Sequence, residues 1–297
     1  MPAGGRRSVE SALRAATLSS DVPVSAVGLP VAGWKAELAL EYQRQGERTV
    51  LTKRRHDGPL VVQKALYPEG GAVCHCIVVH PPGGIAGGDD LTVSASVAEG
   101  ASALLTTPGA AKWYRSAGPW ASQRVLFDVA GTLEWLPQET IVYDRALARM
   151  QAEIRLSRDA RYLGWEILCL GRTGSGERYE TGRSNLATRL WREGRLVWNE
   201  RGEVNGGSPL MQSAAGFAGR TVCGTLVAAA PAISDEILAG SRGASGEGAV
   251  TRLPGVLVAR YVGDSSEAAK AYFRELWRVL RPALIGREAV EPRIWRT

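Results

Sequence analysis

Residues 74–90 carry the densest set of potential metal ligands in the chain. Cys74, His75, Cys76 and His80 lie within seven residues, and they are two of the four cysteines and two of the three histidines. Nitrogen and sulfur donors of this kind favour zinc, nickel or copper. The segment therefore raises the question of a metal site.

Strand geometry limits what these donors can hold together. On a β-strand, Cys74, Cys76 and His80 share one face and His75 points to the other. Cys76 and His80 would then stand about 13 Å apart, too far for one coordination sphere. No second Cys/His pair in the sequence completes a tetrahedral site. We predict no firm metal site: either the cysteines are core residues, or Cys74, His75 and Cys76 bind metal weakly and transiently.

A turn rich in proline and glycine follows these donors. Its members are Pro81, Pro82, Gly83, Gly84, Gly87 and Gly88. Proline removes amide donors, whereas glycine permits positive φ and close backbone approach. A phosphate loop of the Walker type would need Lys-Ser/Thr and a helix after the glycines, but an alternating strand pattern follows. We therefore predict that these residues shape a structural turn.

The chain lacks a recognisable hydrolytic constellation. His56 is the one histidine outside the 75–80 segment, and no Gly-x-Ser-x-Gly elbow is present. Glu139 and Glu166 do occur in largely apolar surroundings, where a carboxylate must be paired or face water. Such carboxylates could line a hydrated passage for a cation; charged edge strands that prevent aggregation are the alternative.

The elements that must position these groups are mostly strands. Residues 91–97 alternate apolar and small polar side chains, which predicts a strand with one wet face. Residues 187–191 and 195–198 predict a hairpin around Gly194. The clearest helix pattern begins with a capping box of Asp264 and Glu267 and ends at Pro282, and a second helix is predicted over 233–238.

These patterns predict a mainly β fold. We expect a single elongated domain over residues 33–297, with many short, largely antiparallel strands in stacked sheets and two or three peripheral helices. Residues 1–32 are predicted to form a flexible N-terminal tail. No run of about 18 apolar residues and no signal-peptide pattern occurs, so we expect a cytoplasmic protein.

Charge gives little support to nucleic-acid binding. The 36 Lys and Arg residues exceed the 30 Asp and Glu residues by only six, and both signs are dispersed along the 297 residues. A dispersed excess of this size is typical of an ordinary solvated surface.

Several motifs in order resemble the urease accessory protein D family, called H in some bacteria (UreD/UreH). The matching segments are Gly58–Gln63, Leu66–Gly70, His80–Asp89, Leu105–Gly109, Lys112–Ser116, Leu133–Thr140, Gly164–Glu177 and Pro292–Trp295. Asp90 stands where Arg or Gln is commoner in that family, and Cys76 is less typical of it. Asp90 adds a negative charge and Cys76 adds a thiol, so neither difference weakens an interpretation in which the protein handles nickel.

The resemblance implies a non-enzymatic scaffold for urease maturation. Its expected partners are apo-urease, a UreF-type accessory protein and a UreG-type GTPase, with no nucleic acid and no membrane. No permanent cofactor is expected; Ni²⁺ would be in transit through a hydrated tunnel to the urease active site. A cation crosses protein where oxygen ligands or water replace its shell and no site holds it too tightly.

Motif position and strand placement give six candidate lining residues for such a path: His75, His80, Asp89, Glu139, Glu166 and Glu180. The C-terminal helix and its flanking strands are expected to expose apolar area for the F-type partner. Two other functions remain open: a nickel-binding storage or carrier protein, and, with less support, a nucleic-acid-binding β protein.

Overall fold

A computed structural model describes residues 33–296, which form 17 strands and three α-helices. The strands, in chain order, are β1 (Lys35–Gln45), β2 (Arg48–Asp57), β3 (Val61–Leu66), β4 (Cys74–Val79), β5 (Asp90–Val97), β6 (Ser102–Thr106), β7 (Ala111–Trp113), β8 (Ala121–Val129), β9 (Thr132–Leu136), β10 (Thr140–Val142), β11 (Leu147–Leu156), β12 (Arg161–Leu170), β13 (Arg183–Arg192), β14 (Arg195–Asn205), β15 (Val222–Ala229), β16 (Gly248–Leu253) and β17 (Val256–Gly263). The helices are α1 (Pro209–Gln212), α2 (Asp235–Arg242) and α3 (Ser266–Ile285).

The strands form two sheets that enclose one core. The first sheet has the order β14-β13-β11-β8-β5-β1-β2. The second has the order β16-β17-β15-β12-β9-β6-β4-β3, with β10 pairing to β12 and β7 pairing to β10. From β4 to β13 the chain passes back and forth between the sheets, so that a strand of one sheet is usually followed by a strand of the other.

This back-and-forth path makes most of the central strand pairs parallel. In the first sheet β1, β5, β8, β11 and β13 pair in parallel, and in the second β4, β6, β9 and β12 do. Antiparallel pairing is confined to the hairpins and to β12, β15, β17 and β16. The prediction of largely antiparallel strands is therefore wrong.

The reason for this error is physical. Period-two alternation reports which face of a strand is buried, but it is the same for both strand directions. Parallel neighbours need a long crossover connection, and here a strand of the opposite sheet serves as that crossover. The remaining predictions of a mainly β protein, stacked sheets and peripheral helices are confirmed, as is the hairpin of β13 and β14 around Gly194, with its φ of 73°.

A second core lies between the second sheet and α3. The apolar side of this helix, including Phe273, Leu276 and Trp277, is buried against the sheet. The expectation that α3 exposes apolar area is therefore wrong. On the flanking strands, Leu253 and Val262 are partly exposed.

The ends of α3 also differ in detail from the prediction. Ser265, not Asp264, caps the helix, because its hydroxyl accepts a hydrogen bond from Ala268 N at 3.1 Å. Asp264 instead pairs with Arg220. The helix continues past Pro282 to Ile285 and ends at Gly286, whose φ is 74°. The predicted tail, residues 1–32, lies outside the described residues.

Candidate functional site

Strand β4 sends its two kinds of donor to opposite sides of the second sheet. Cys74 and Cys76 enter the core between the sheets, together with Val78. His75 lies under α3, where its Nε2 is 2.5 Å from Glu69 Oε1. The structure therefore does not bring His75 together with the two thiols, as alternation along a strand requires.

His80 follows directly after β4 and begins the proline–glycine turn. The turn is closed by a 2.9 Å hydrogen bond from Gly83 N to the carbonyl of His80, and Gly83 has a φ of 74°. Ile85 then pairs with the β7 backbone through the Lys112 carbonyl at 2.7 Å. Gly87 packs so closely that an added Cβ would lie 2.4 Å from the Ser116 hydroxyl. The turn is thus tightly packed against the neighbouring loop.

Asp89 holds the far end of this turn. Its two carboxylate oxygens accept hydrogen bonds from Trp34 N and Ala86 N, each at 2.8 Å. Both bonds are to backbone amides, so Asp89 fixes the loop and lines neither of the cavities described below.

The first cavity between the sheets, of about 420 Å³, contains the His80 ring in its wall. The buried Nε2 of His80 has no hydrogen-bond partner. Burial lowers the pKa of His80, with Asp89 acting in the opposite direction, so the ring is neutral at pH 7. The unprotonated nitrogen of a neutral imidazole could accept a hydrogen bond from water or coordinate a cation.

A second cavity, of about 140 Å³, surrounds Glu166 on β12. Alternation along β12 turns Glu166 towards the first sheet, and Gly164 on the same face leaves room for the Tyr162 hydroxyl, 2.2 Å from the position of an added Cβ. Glu166 retains exposed surface and lines this cavity, although protein packs densely around it. Burial and the nearby charge of Glu200 raise the pKa of Glu166 to about 7.

Glu200 forms the opposite side of this second cavity. It extends from β14 and pairs with the Arg260 guanidinium of β17. Arg260 also donates to the Thr225 hydroxyl at 2.9 Å. A fixed positive charge therefore compensates Glu200, whereas no ion pair among the described residues involves Glu166.

The two cavities share part of their lining. Thr107, Ala111, Gln123 and Trp135 belong to the walls of both. Either volume is large enough for several water molecules. We call the pair of cavities the inter-sheet passage; it contains His80 in one part and Glu166 in the other.

The remaining two candidate residues lie elsewhere. Glu139 forms a 2.8 Å ion pair with Lys270 of α3, on the outer side of the second sheet. Glu180 is exposed, and its amide donates to Asp144 Oδ1 at 3.0 Å. Of the six predicted lining residues, only His80 and Glu166 reach the passage. His75, Asp89, Glu139 and Glu180 do not, because each is directed to another interface or to solvent.

Sequence reasoning missed several polar groups of the passage. Gln123, Gln138, Gln151 and Glu200 line the second cavity. Strand β14 is polar along much of its length, with exposed residues on both faces. No alternation therefore marks Glu200 as an inward residue, and only its pairing opposite β13 places it there.

The donors of the passage do not form a metal cage. Within residues 33–296, no group of three or more His, Cys, Asp or Glu side chains is arranged to hold a metal ion.

None of the helices in this part of the chain has the length and apolarity needed to cross a membrane. Fold and site together define a two-sheet β protein with two largely apolar cavities between the sheets and a few dispersed polar donors in their walls.

Comparison with known proteins assigns the family. Residues 35–296 match the family model of the UreD urease accessory protein. A protein named urease accessory protein UreD from Dechloromonas aromatica (strain RCB) is 58% identical over 273 residues, covering 89% of this chain and 95% of that protein. Those of Azoarcus sp. (strain BH72) and Methylobacillus flagellatus are 52% and 49% identical, each over 270 residues, 89% of this chain and 95% of the relative. The chain belongs to the UreD family of urease accessory proteins, which supports a role in urease maturation.

Proposed function

We propose that this protein is a non-catalytic scaffold of urease maturation whose inter-sheet passage conducts Ni²⁺ towards apo-urease. The observation that carries the proposal is the pair of cavities that share part of their lining, with His80 and Glu166 in their walls and, among the described residues, no cage of ligands. Family membership supports the choice of process. We propose a UreF-type protein, a UreG-type GTPase and apo-urease as the partners and the cytoplasm as the location; membership of that family supports both proposals.

The chemistry of the passage suits transit better than storage. A divalent cation keeps part of its water shell in a cavity of this size, and amide and carboxylate oxygens replace the rest. Glu166 supplies the one carboxylate in the second cavity that is not held in an ion pair. A single carboxylate with a pKa of about 7 attracts a cation and releases it again, since protonation competes with binding.

The proposal is tested by activating apo-urease with purified components and measuring nickel in the urease product. Glu166→Gln keeps the shape and removes the charge, and His80→Leu removes the free nitrogen. We expect each to reduce nickel insertion about 10-fold when nickel and GTP are limiting. Glu37→Gln, on the exposed face of β1, is the matched control and should leave insertion unchanged.

Two further outcomes limit the interpretation. Glu139→Gln should behave like the control, because Glu139 lies outside the passage. If Glu166→Gln and His80→Leu bind the partners normally and deliver nickel at the wild-type rate, the passage is not the route.

A further inference from the structure

Three loops at one end of the protein form a surface outside the inter-sheet passage. Loops 114–120, 143–146 and 171–182 follow β7, β10 and β12, and each carries the chain from the second sheet to the first. The carbonyl of Arg145 accepts a hydrogen bond from the first loop, and its amide donates to the carbonyl of Thr181 in the third, each at 3.0 Å. The three loops are therefore joined into one surface.

The charges of these loops are arranged with the cations outward. The exposed arginines of the three loops are Arg115, Arg145, Arg172 and Arg178. Two of the three acidic residues are used within the loops. Asp144 accepts the Thr181 amide at 2.7 Å, and Glu177 accepts the Asp144 amide at 3.1 Å. Only Glu180 is an exposed acid, so the surface that meets solvent is mainly cationic.

Aromatic rings support two of the arginines at this end of the protein. The guanidinium carbon of Arg172 lies 4.5 Å from the ring centroid of Tyr143. Arg149, near the start of β11, lies in the same way 5.2 Å from the ring centroid of Trp120. A guanidinium that already rests on a ring loses less freedom when it binds a partner. These two arginines are therefore partly pre-organised.

Arg145 has a backbone conformation that is rare for a residue other than glycine. Its φ is 64°, and the two hydrogen bonds to the neighbouring loops hold it there. The side chain is 70% exposed, and its nearest carboxylate, that of Asp144, is 3.7 Å away. Backbone strain of this kind is concentrated at functional positions. Here it directs attention to an exposed positive charge.

We propose that Arg115, Arg145, Arg149 and Arg172 bind an acidic segment of a partner protein; we call these four residues the arginine surface. Guanidinium groups pair with carboxylates through two parallel hydrogen bonds. Arg115 and Arg149 form no ion pair with any residue between 33 and 296, so both are free to make such contacts. Charge complementarity thus defines the chemistry of the partner.

A nucleic acid fits the arginine surface less well. Tyr143 and Trp120 each have a face covered by a guanidinium, so these rings are poorly placed to stack on bases. A duplex also carries one phosphate charge for about every 1.7 Å of its length, and such a dense row of charges would meet Glu180. A polypeptide, by contrast, can space its carboxylates to match separate arginines.

The arginine surface lies next to the His80 cavity without lining it. The rings of Tyr114 and Tyr143 meet edge to face, with centroids 5.2 Å apart. Tyr114 also covers Gly84 of the proline–glycine turn, where an added Cβ would lie 2.2 Å from the Tyr114 ring. Gly84 belongs to the wall of the His80 cavity. A bound partner therefore stands beside that cavity, although the inference does not depend on nickel transit.

The test is the binding of a fluorescent polyglutamate peptide to the full-length protein at low ionic strength. We expect the wild type to bind and added salt to release the peptide. Arg115→Glu combined with Arg149→Glu should weaken binding at least about 10-fold, because like charges then face each other. Arg55→Glu combined with Arg195→Glu has the same net charge and changes exposed residues outside the surface, so it should bind like the wild type.

Three further measurements make the test specific. Both double variants should melt close to the wild type, since their four arginines form no ion pair in the described part of the chain. Bound peptide should slow hydrogen exchange in loops 114–120, 143–146 and 171–182. Glu166→Gln should bind the peptide normally, so that failure of the passage and failure of the surface can be told apart.

The proposal is wrong if the wild type does not bind the peptide or if the two double variants weaken binding equally. It is also wrong if a duplex DNA of equal charge binds more tightly than the peptide and is released by Arg115→Glu with Arg149→Glu. That last outcome would assign the arginine surface to nucleic acid.

Discussion

The ionisable groups on the two faces of the second sheet differ in whether they have partners. On the α3 side, Arg281 is fully buried and bonds to Glu134 at 3.0 Å and to Glu69 at 2.7 Å. Trp277 Nε1 also donates to Glu134 at 2.6 Å, and His75 contacts Glu69. On the side of the inter-sheet passage, by contrast, the Nε2 atom of His80 has no hydrogen-bond partner.

Electrostatics separates the two faces in the same way. Burial raises the pKa of Glu134, and Arg281 acts against that rise. For Glu69 the hydrogen bonds from His75 and Arg281 outweigh burial and lower the pKa. Glu166 has no such cation, so its pKa rises to about 7. Paired groups anchor the helix, whereas unpaired groups remain available to water and ions.

The largest expected effect comes from breaking the paired side. Arg281→Met leaves Glu134 and Glu69 buried without their cation, and should lower the free energy of unfolding by about 3–5 kcal/mol. Urea denaturation at pH 7 measures this loss. Arg155→Met removes an exposed guanidinium from β11 and is the control, with a far smaller expected change.

A second substitution sharpens this first prediction. Adding Glu134→Gln to Arg281→Met removes one of the stranded charges and should recover part of the lost stability. If Arg281→Met costs no more than the Arg155→Met control, the network under α3 is not an anchor.

The next effect concerns the proline–glycine turn that follows His80. In Gly87→Ala the new Cβ would stand 2.4 Å from the Ser116 hydroxyl and 2.9 Å from the Pro119 carbonyl, so the loop must shift. We expect a loss of about 1–3 kcal/mol in urea denaturation. Gly109→Ala, in the wall of the His80 cavity, meets nothing within 4 Å and is the control. Equal stability of the two variants would mean that the turn is not tightly packed against Ser116 and Pro119.

The smallest expected effect is a pH dependence caused by Glu166. Folding raises the pKa of this carboxyl from its ordinary value of 4.5 to about 7, so the folded state holds the proton more tightly than the unfolded state does. The loss of stability caused by an ionised Glu166 in the folded protein is absent below pH 4.5 and complete above pH 7. The free energy of unfolding of the wild type therefore falls as the pH rises across that window.

Glu166→Gln should remove this slope. Because the side chain opens into a cavity, we expect a difference of about 1 kcal/mol or less between pH 5 and pH 8 in urea denaturation. Glu37→Gln should keep the wild-type slope, since that side chain lies on the exposed face of β1. A wild-type slope in Glu166→Gln would place the titrating group elsewhere.

Much of the fold could be predicted from local patterns. Alternation in residues 91–97 predicted β5, and the positive φ available to Gly194 predicted the β13–β14 hairpin. Strand geometry also predicted that the His75 side chain would lie on the opposite face of the strand from Cys74 and Cys76. These inferences succeeded because side-chain direction along a strand is a property of the strand itself.

The candidate site was predicted less well. His80 and Glu166 reach the passage, but Glu200, Gln123 and Gln151 were missed. Glu139 looked equally suitable and instead pairs with Lys270. A carboxylate in an apolar segment reports only that it needs a partner or water, not which of the two it finds.

The sequence by itself determined the strands, their buried faces, the turn after His80 and the family. Only the tertiary structure decided that neighbouring strands run parallel, that Arg281 neutralises Glu134 across 147 positions, and that Glu166 stays without a cation. The physical reason is the distance along the chain over which each kind of interaction acts. Backbone geometry and side-chain alternation act within a few residues, whereas pairing between sheets depends on contacts between segments that are distant in the chain.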